Sequence, residues 1–169
     1  RRLENVVLSM GSEMLLLGGL ADTQKQARLM LSRVIETGMA AENFARMVSM
    51  QGGPVDLIDH PEKYLLPAPV VRVLTASTDG GIEFLDTRAI GLCVVRLGGG
   101  RSHVEETIDH RVGLSDFCLV GDTVRKGDPL VTIHAADEAG WQIAAAALSE
   151  AIVIGRAKDA LPAVYEQFP

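Results

Sequence analysis

Apolar residues recur at every third or fourth position over the first fifty residues. Leu3, Val6, Val7, Met10, Met14 and Leu17 keep i, i+3, i+4, i+7 spacing, which predicts an amphipathic helix ended by Gly18-Gly19. A second helix is expected from Asp22-Thr23, where Thr23 and Gln26 fit a capping box. Its apolar stripe is Ala27, Met30, Leu31, Val34 and Ile35, and Gly38 follows as the glycine past its end. A third, over about 40–50, carries Phe44, Ala45, Met47 and Val48 and stops at Gly52-Gly53-Pro54. Three helices on short turns must pack on one another or on something else. One helical turn is expected at 56–58, after which Pro61, Pro67 and Pro69 interrupt regular structure. The domain boundary is placed at 66–69.

Beyond it the period shortens. Residues 70–76 are rich in β-branched side chains and predict a strand, 78–81 a turn, and 82–85 a strand returning from it. Asp86 or Thr87 can cap a helix over about 88–97 with Ala89, Ile90, Cys93, Val94 and Leu97 inward, stopped by Gly98-Gly99-Gly100. A polar loop, then apolar stretches at 108–114 and 117–120, lead to two turns, 121–124 and 126–129, around a short strand. A strand at 130–135, an Ala-rich helix over about 138–149 with Trp141, Ala144, Ala145 and Leu148, and a last strand at 151–154 complete the pattern. Strands and helices mix without regular βαβ alternation. The expected fold class is therefore α+β: a partial helical domain over 1–68, then an α/β module over 69–169.

Composition narrows the function. The chain has 169 residues, 47% hydrophobic and 22% charged, values of an ordinary globular protein that exclude a disordered or collagen-like chain. The net charge of −6 supplies no basic surface for displacing counterions, so no nucleic-acid partner is expected. No apolar run reaches the roughly 18–20 residues of a membrane span, and no membrane partner is expected. Cys93 and Cys118 lie far apart outside any motif and read as reduced core thiols of a cytoplasmic protein. The chain opens Arg1-Arg2-Leu3 without Met or a signal pattern, which reads as a fragment.

Candidate chemistry is sparse. Gly98-Gly99-Gly100-Arg101-Ser102 could let backbone N–H groups approach an anion, with Arg101 adding a bidentate contact. The run sits at a helix C-terminus, where the dipole repels anions, and lacks the Lys-Ser/Thr ending of a phosphate loop. A helix stop is the simpler reading, and a closing loop formed by Gly98, Gly99, Gly100, Arg101, Ser102 and His103 is the functional one. His103 and His110 flank Glu105, Glu106 and Asp109, which read as a solvated loop, and no metal site is expected. His134 reads as a satisfied residue at a sheet edge, and His60 before Pro61 as turn chemistry. There is no Gly-x-Ser-x-Gly elbow, and Cys93 falls on a buried helix face.

The stretch Gly121-Asp122-Thr123-Val124 through Gly127-Asp128-Pro129-Leu130 resembles the hammerhead of biotinyl and lipoyl carrier domains. Val124 and Leu130 are expected inward, with Gly121 and Gly127 at positive φ. A carrier needs a lysine on a hairpin tip. None of Lys25, Lys63, Lys126 and Lys158 sits in such a tip sequence, although a carrier-like binding module remains the alternative.

Several motifs in order resemble the C-terminal part of the pyrimidine-nucleoside phosphorylase family. They are Gly38-Met39-Ala40-Ala41-Glu42-Asn43-Phe44, Gln51-Gly52-Gly53-Pro54, Asp86-Thr87-Arg88-Ala89-Ile90-Gly91, Leu97-Gly98-Gly99-Gly100-Arg101, Thr107-Ile108-Asp109 with Val112-Gly113, and the hammerhead. The resemblance implies a transferase in which phosphate attacks C1′ of a pyrimidine deoxynucleoside, releasing the base and deoxyribose 1-phosphate. It implies phosphate as co-substrate, no other cofactor, a homodimer formed through a helical domain, and a cleft that closes over the substrates. The family's Lys-His-Ser-x-Gly-Gly signature has no match here, so no catalytic and no substrate-binding residue is carried over, and the chain alone is expected to be inactive. The stretch 102–112 matches a loop that helps hold the closed cleft in some members.

Overall fold

A computed structural model of the chain describes residues 2–156 together with 158, 159, 162 and 164. The described residues divide into two units, one of 2–64 with Pro162 and Val164, the other of 65–156 with Lys158 and Asp159.

In the first unit α1 (Arg2–Leu17) packs on α2 (Gln24–Glu36), and α2 on α3 (Met39–Met50). Local chemistry sets the ends. Thr23 Oγ1 accepts the Gln26 N–H at 3.2 Å while Gln26 Oε1 accepts the Asp22 N–H at 3.2 Å, a reciprocal cap as expected, displaced by one residue on its return arm. Gly38 (φ 81°) lets α2 hand over directly to α3. Few side chains are covered: Leu8, Ser12, Ala21 and Ala27 are buried, and Ser12 satisfies its hydroxyl by donating to the Leu8 carbonyl at 2.6 Å. Leu3, Val7, Met10, Met14 and Leu17 of the α1 stripe stay exposed, as do Phe44 and Met47 of α3. Three short helices in a row cannot cover both sides of one another. Beyond α3, Asp56 ties down the connection by accepting from Lys63 Nζ at 2.7 Å and from the Tyr64 hydroxyl.

The second unit holds β1 (Val70–Thr75), β2 (Gly80–Leu85), α4 (Thr87–Val94), β3 (Gly113–Ser115), β4 (Thr123–Val124), β5 (Pro129–Ala135), α5 (Glu138–Ala151) and β6 (Ile152–Gly155). The strands form two antiparallel sheets of three, ordered β1-β5-β3 and β4-β2-β6. With its helices this is the expected mixture of α and β. Both helices start where an aspartate accepts an orphan N–H: Asp86 from Ala89 at 2.9 Å and Asp137 from Gly140 at 2.7 Å. Alternation along β5 sends Val131, Ile133 and Ala135 into the core, where they meet Ile82, Cys93, Ala144 and Leu148. Burying these side chains against both sheets and both helices is the main source of this unit's stability.

Three expectations change. The strand over 82–85 does not return along 70–76: β1 and β2 belong to different sheets. The reason is that the exit of β1 is bound elsewhere. Ala76 N–H donates to the Asp128 carbonyl and Gly127 N–H to the Ala76 carbonyl, both at 2.9 Å, so the chain crosses over before β2 begins. Of the apolar stretches 108–114 and 117–120, only 113–115 joins a sheet. His134 is not at an edge, because β5 is the central strand of its sheet. It is satisfied there by the Ser115 hydroxyl, 2.9 Å from Nε2.

The motif over 121–130 behaves locally as its sequence predicts. Val124 and Leu130 are buried, and Gly121 and Gly127 adopt φ of 96° and 94°. Asp79 Oδ1 accepts the Lys126 N–H at 2.7 Å, and Asp128 Oδ2 the Arg125 N–H at 2.8 Å, which pins the turn.

Candidate closing loop

The helix begun at Asp86 does not stop cleanly. After Val94 it widens over Val95–Gly99, and Gly98 (φ 94°) takes the left-handed conformation that turns the chain out. The chain then leaves for ten residues, 99–108, and comes back. The Gly98 carbonyl accepts the Asp109 N–H at 2.9 Å, which joins the two arms into a neck. A Cβ on residue 99 would stand 3.0 Å from Val94 Cγ1 and 3.2 Å from the Val94 carbonyl, so it would crowd the end of the helix, and it would touch Val112 Cγ2 of the returning arm at 3.4 Å. At residue 100 a Cβ would stand 2.8 Å from Val95 Cγ2.

The returning arm is fixed by Asp109. Its carboxylate accepts from Arg111 Nε at 2.9 Å, Nη2 at 2.8 Å and the Arg111 N–H at 3.0 Å. These bonds hold the Asp109 pKa down at about 2, so the pair stays charged at any ordinary pH.

Beyond the neck lies an exposed head, residues 101–107. It is organised by Glu106, whose Oε2 accepts the Ser102 N–H at 2.6 Å and the His103 N–H at 3.4 Å, while the Glu106 N–H donates to the His103 carbonyl at 3.1 Å. The six residues singled out from the sequence are therefore split by the fold: Gly98, Gly99 and Gly100 build the neck, and Arg101, Ser102 and His103 begin the head. The Arg101 side chain has no hydrogen-bond or ion-pair partner among the described residues. Of the run considered for anion binding, the Ser102 N–H is taken, together with that of His103, by the chain's own carboxylate.

Glu106 was legible only as one of a solvated acidic pair. The usable signal is its position four residues after Ser102, the reach of a side chain that folds back on a turn. Glu105 has no such partner among the described residues. The acidic residues and His103 or His110 do not gather into a metal-ligand set, and no such set exists among the described residues.

Other reactive groups are occupied with packing. Cys93 is buried, its Sγ 4.0 Å from the Ala144 carbonyl, and burial pushes its pKa up. Cys118 is pushed up to about 11 by burial and by the nearby Asp122 carboxylate. Both are free thiols and neither is activated. Among the described residues no helix is long and apolar enough to cross a membrane.

Residues 81–155 match the family model of the pyrimidine nucleoside phosphorylase C-terminal domain. The match runs from β2 to the end of β6 and takes in α4 and the whole of the loop. This part of the chain is thus similar to that domain, as its sequence motifs indicated, and the domain belongs to the pyrimidine nucleoside phosphorylase family, which are glycosyltransferases.

Proposed function

We propose that the chain is the C-terminal part of a thymidine phosphorylase, which reversibly converts thymidine and phosphate into thymine and 2-deoxyribose 1-phosphate. In this reaction a phosphate oxygen forms a bond to C1′ as the C1′–N1 bond breaks, and the base leaves with a proton. Catalysis of this kind is mainly positioning and electrostatic stabilisation of an oxocarbenium-like transition state. A cleft that shuts out water strengthens both effects.

The observation that carries the reading is the domain match over 81–155, with the loop at 98–112 lying inside it. The part of this chain in the reaction is the loop: a fixed neck that presents the head, and with it Arg101, to a closing cleft. Phosphate is the co-substrate and a pyrimidine deoxynucleoside the partner. The homodimer and cytoplasmic setting belong to the same reading. The turn pinned at 125–128, with buried Val124 and Leu130, supports the likeness to a carrier-domain hammerhead. A carrier function is less well supported. Lys63 is paired with Asp56 and Lys158 lies 3.5 Å from Glu83, while Lys25 is on a helix and Lys126 is in the pinned turn itself.

The test is thymine release from thymidine and phosphate. The full-length enzyme is expected to be active and the 169-residue chain inactive. Activity in the chain alone overturns the placement of the catalytic residues outside it. A full-length protein indifferent to Arg101→Ala or to a shortened 102–112 segment overturns the role of the loop.

A further inference from the structure

Resting on that reading, we infer that Glu106 is a positioning residue: its carboxylate holds the loop head in one shape, so that closure of the cleft does not have to order it. The neck is held without Glu106, by the Asp109–Gly98 bond and the Arg111 clasp. Within the head the described hydrogen bonds are the two that Glu106 Oε2 accepts and the one its own N–H donates. Everything that defines the head thus converges on one residue. A charged acceptor makes these bonds stronger than neutral ones.

The head is exposed, and Val104 retains 86% of its surface. No apolar packing can replace the carboxylate, and water takes over the two N–H groups when it is removed. The loss therefore falls on the order of the head and not on the stability of the domain. A disordered head must pay its ordering entropy each time the cleft closes, and this appears in the rate. Glu105, adjacent and also a glutamate but unbonded among the described residues, supplies the internal control.

The experiment has two arms. In the chain itself, trypsin cleavage after Arg101 and hydrogen exchange of 98–112 are compared for wild type, Glu106→Ala, Glu106→Gln and Glu105→Gln. Glu106→Ala is expected to raise cleavage after Arg101 at least about tenfold with no change in thermal midpoint, because charge-assisted bonds of this kind are worth about that factor or more. Glu106→Gln, whose carbonyl oxygen still accepts, restores part of the protection, and Glu105→Gln changes nothing.

In the full-length enzyme, Glu106→Ala is expected to lower kcat about tenfold with little change in KM for thymidine, with partial rescue in Glu106→Gln. Unchanged cleavage in Glu106→Ala overturns the organising role. A loosened head with unchanged kcat in an active enzyme overturns the positioning role. A wild-type enzyme without phosphorolysis overturns the functional reading itself, a result distinct from an active enzyme that ignores the substitution.

Discussion

Leu148 lies on α5 with no exposed surface, among the buried residues that join both sheets to both helices. Leu148→Ala deletes three carbons. At about 0.8 kcal/mol per buried CH₂ the lost transfer energy is about 2.4 kcal/mol. The cavity adds to this, and Leu→Ala changes in cores span about 2–5 kcal/mol, so about 3 kcal/mol is expected. The assay is urea unfolding followed by fluorescence of the chain's single tryptophan, Trp141. Arg72 stacks over that ring at 4.1 Å and its carbonyl accepts the indole N–H at 3.4 Å, so loss of the β1–α5 contact changes the signal. With a slope of about 1.5 kcal/mol/M the midpoint falls by about 2 M at unchanged slope. The control is Ile143→Ala on the same helix, 60% exposed, which is expected to stay within about 0.5 kcal/mol. A midpoint shift below about 0.5 M for Leu148→Ala refutes the reasoning, because it means that α5 is not locked onto the sheets.

Three further outcomes are expected. Gly98→Ala costs about 1–2 kcal/mol by the same assay, since φ of 94° strains a residue with a Cβ although nothing lies within 4 Å of the added atom; Gly98→Asn costs less, and equal costs refute the conformational cause. The Asp109 carboxyl titrates by NMR near pH 2. Its folded pKa lies below the unfolded value, so the pair's small contribution is present above about pH 4 and lost as pH falls through 2; Arg111→Ala returns the midpoint to the ordinary range. Both thiols resist a thiol reagent at pH 8 in the native chain and react together on unfolding; rapid native labelling of Cys118 contradicts its burial.

The parts that the sequence carried well are those decided within a few residues. Asp86, Thr23 and Gly38 act on neighbours one to four positions away, so their chemistry is visible in the string of letters. The same holds for Gly121 and Gly127. Strand partners are decided over long separations. Nothing between Thr75 and Gly80 says that Ala76 will bond to Asp128, and a turn-like 78–81 invites a hairpin that does not form. Helical periodicity states that Met10 and Met14 share a face, but not whether the chain supplies a cover for it. In the loop, the glycines that close the neck were visible as a run. Glu106 was not, because an acidic residue on an exposed loop looks the same whether or not its carboxylate turns back on the backbone.

The pairing of β2 with β6 also sets a schedule for synthesis. In the sheet β4-β2-β6 the long partner of β2 is the last strand of the unit among the described residues, and β4 offers only two residues. As the chain emerges from the ribosome, α1, α2 and α3 can form from neighbouring contacts. Ile82 and Phe84, by contrast, wait with an open strand edge until Ile154 and Val153 arrive. Non-local pairing of this kind is slow and leaves apolar edges uncovered in the meantime. A nascent chain arrested shortly before Ile152 therefore displays a β2 whose long edge is still open, which makes it a substrate for chaperones, whereas one extended through Gly155 can close its second sheet.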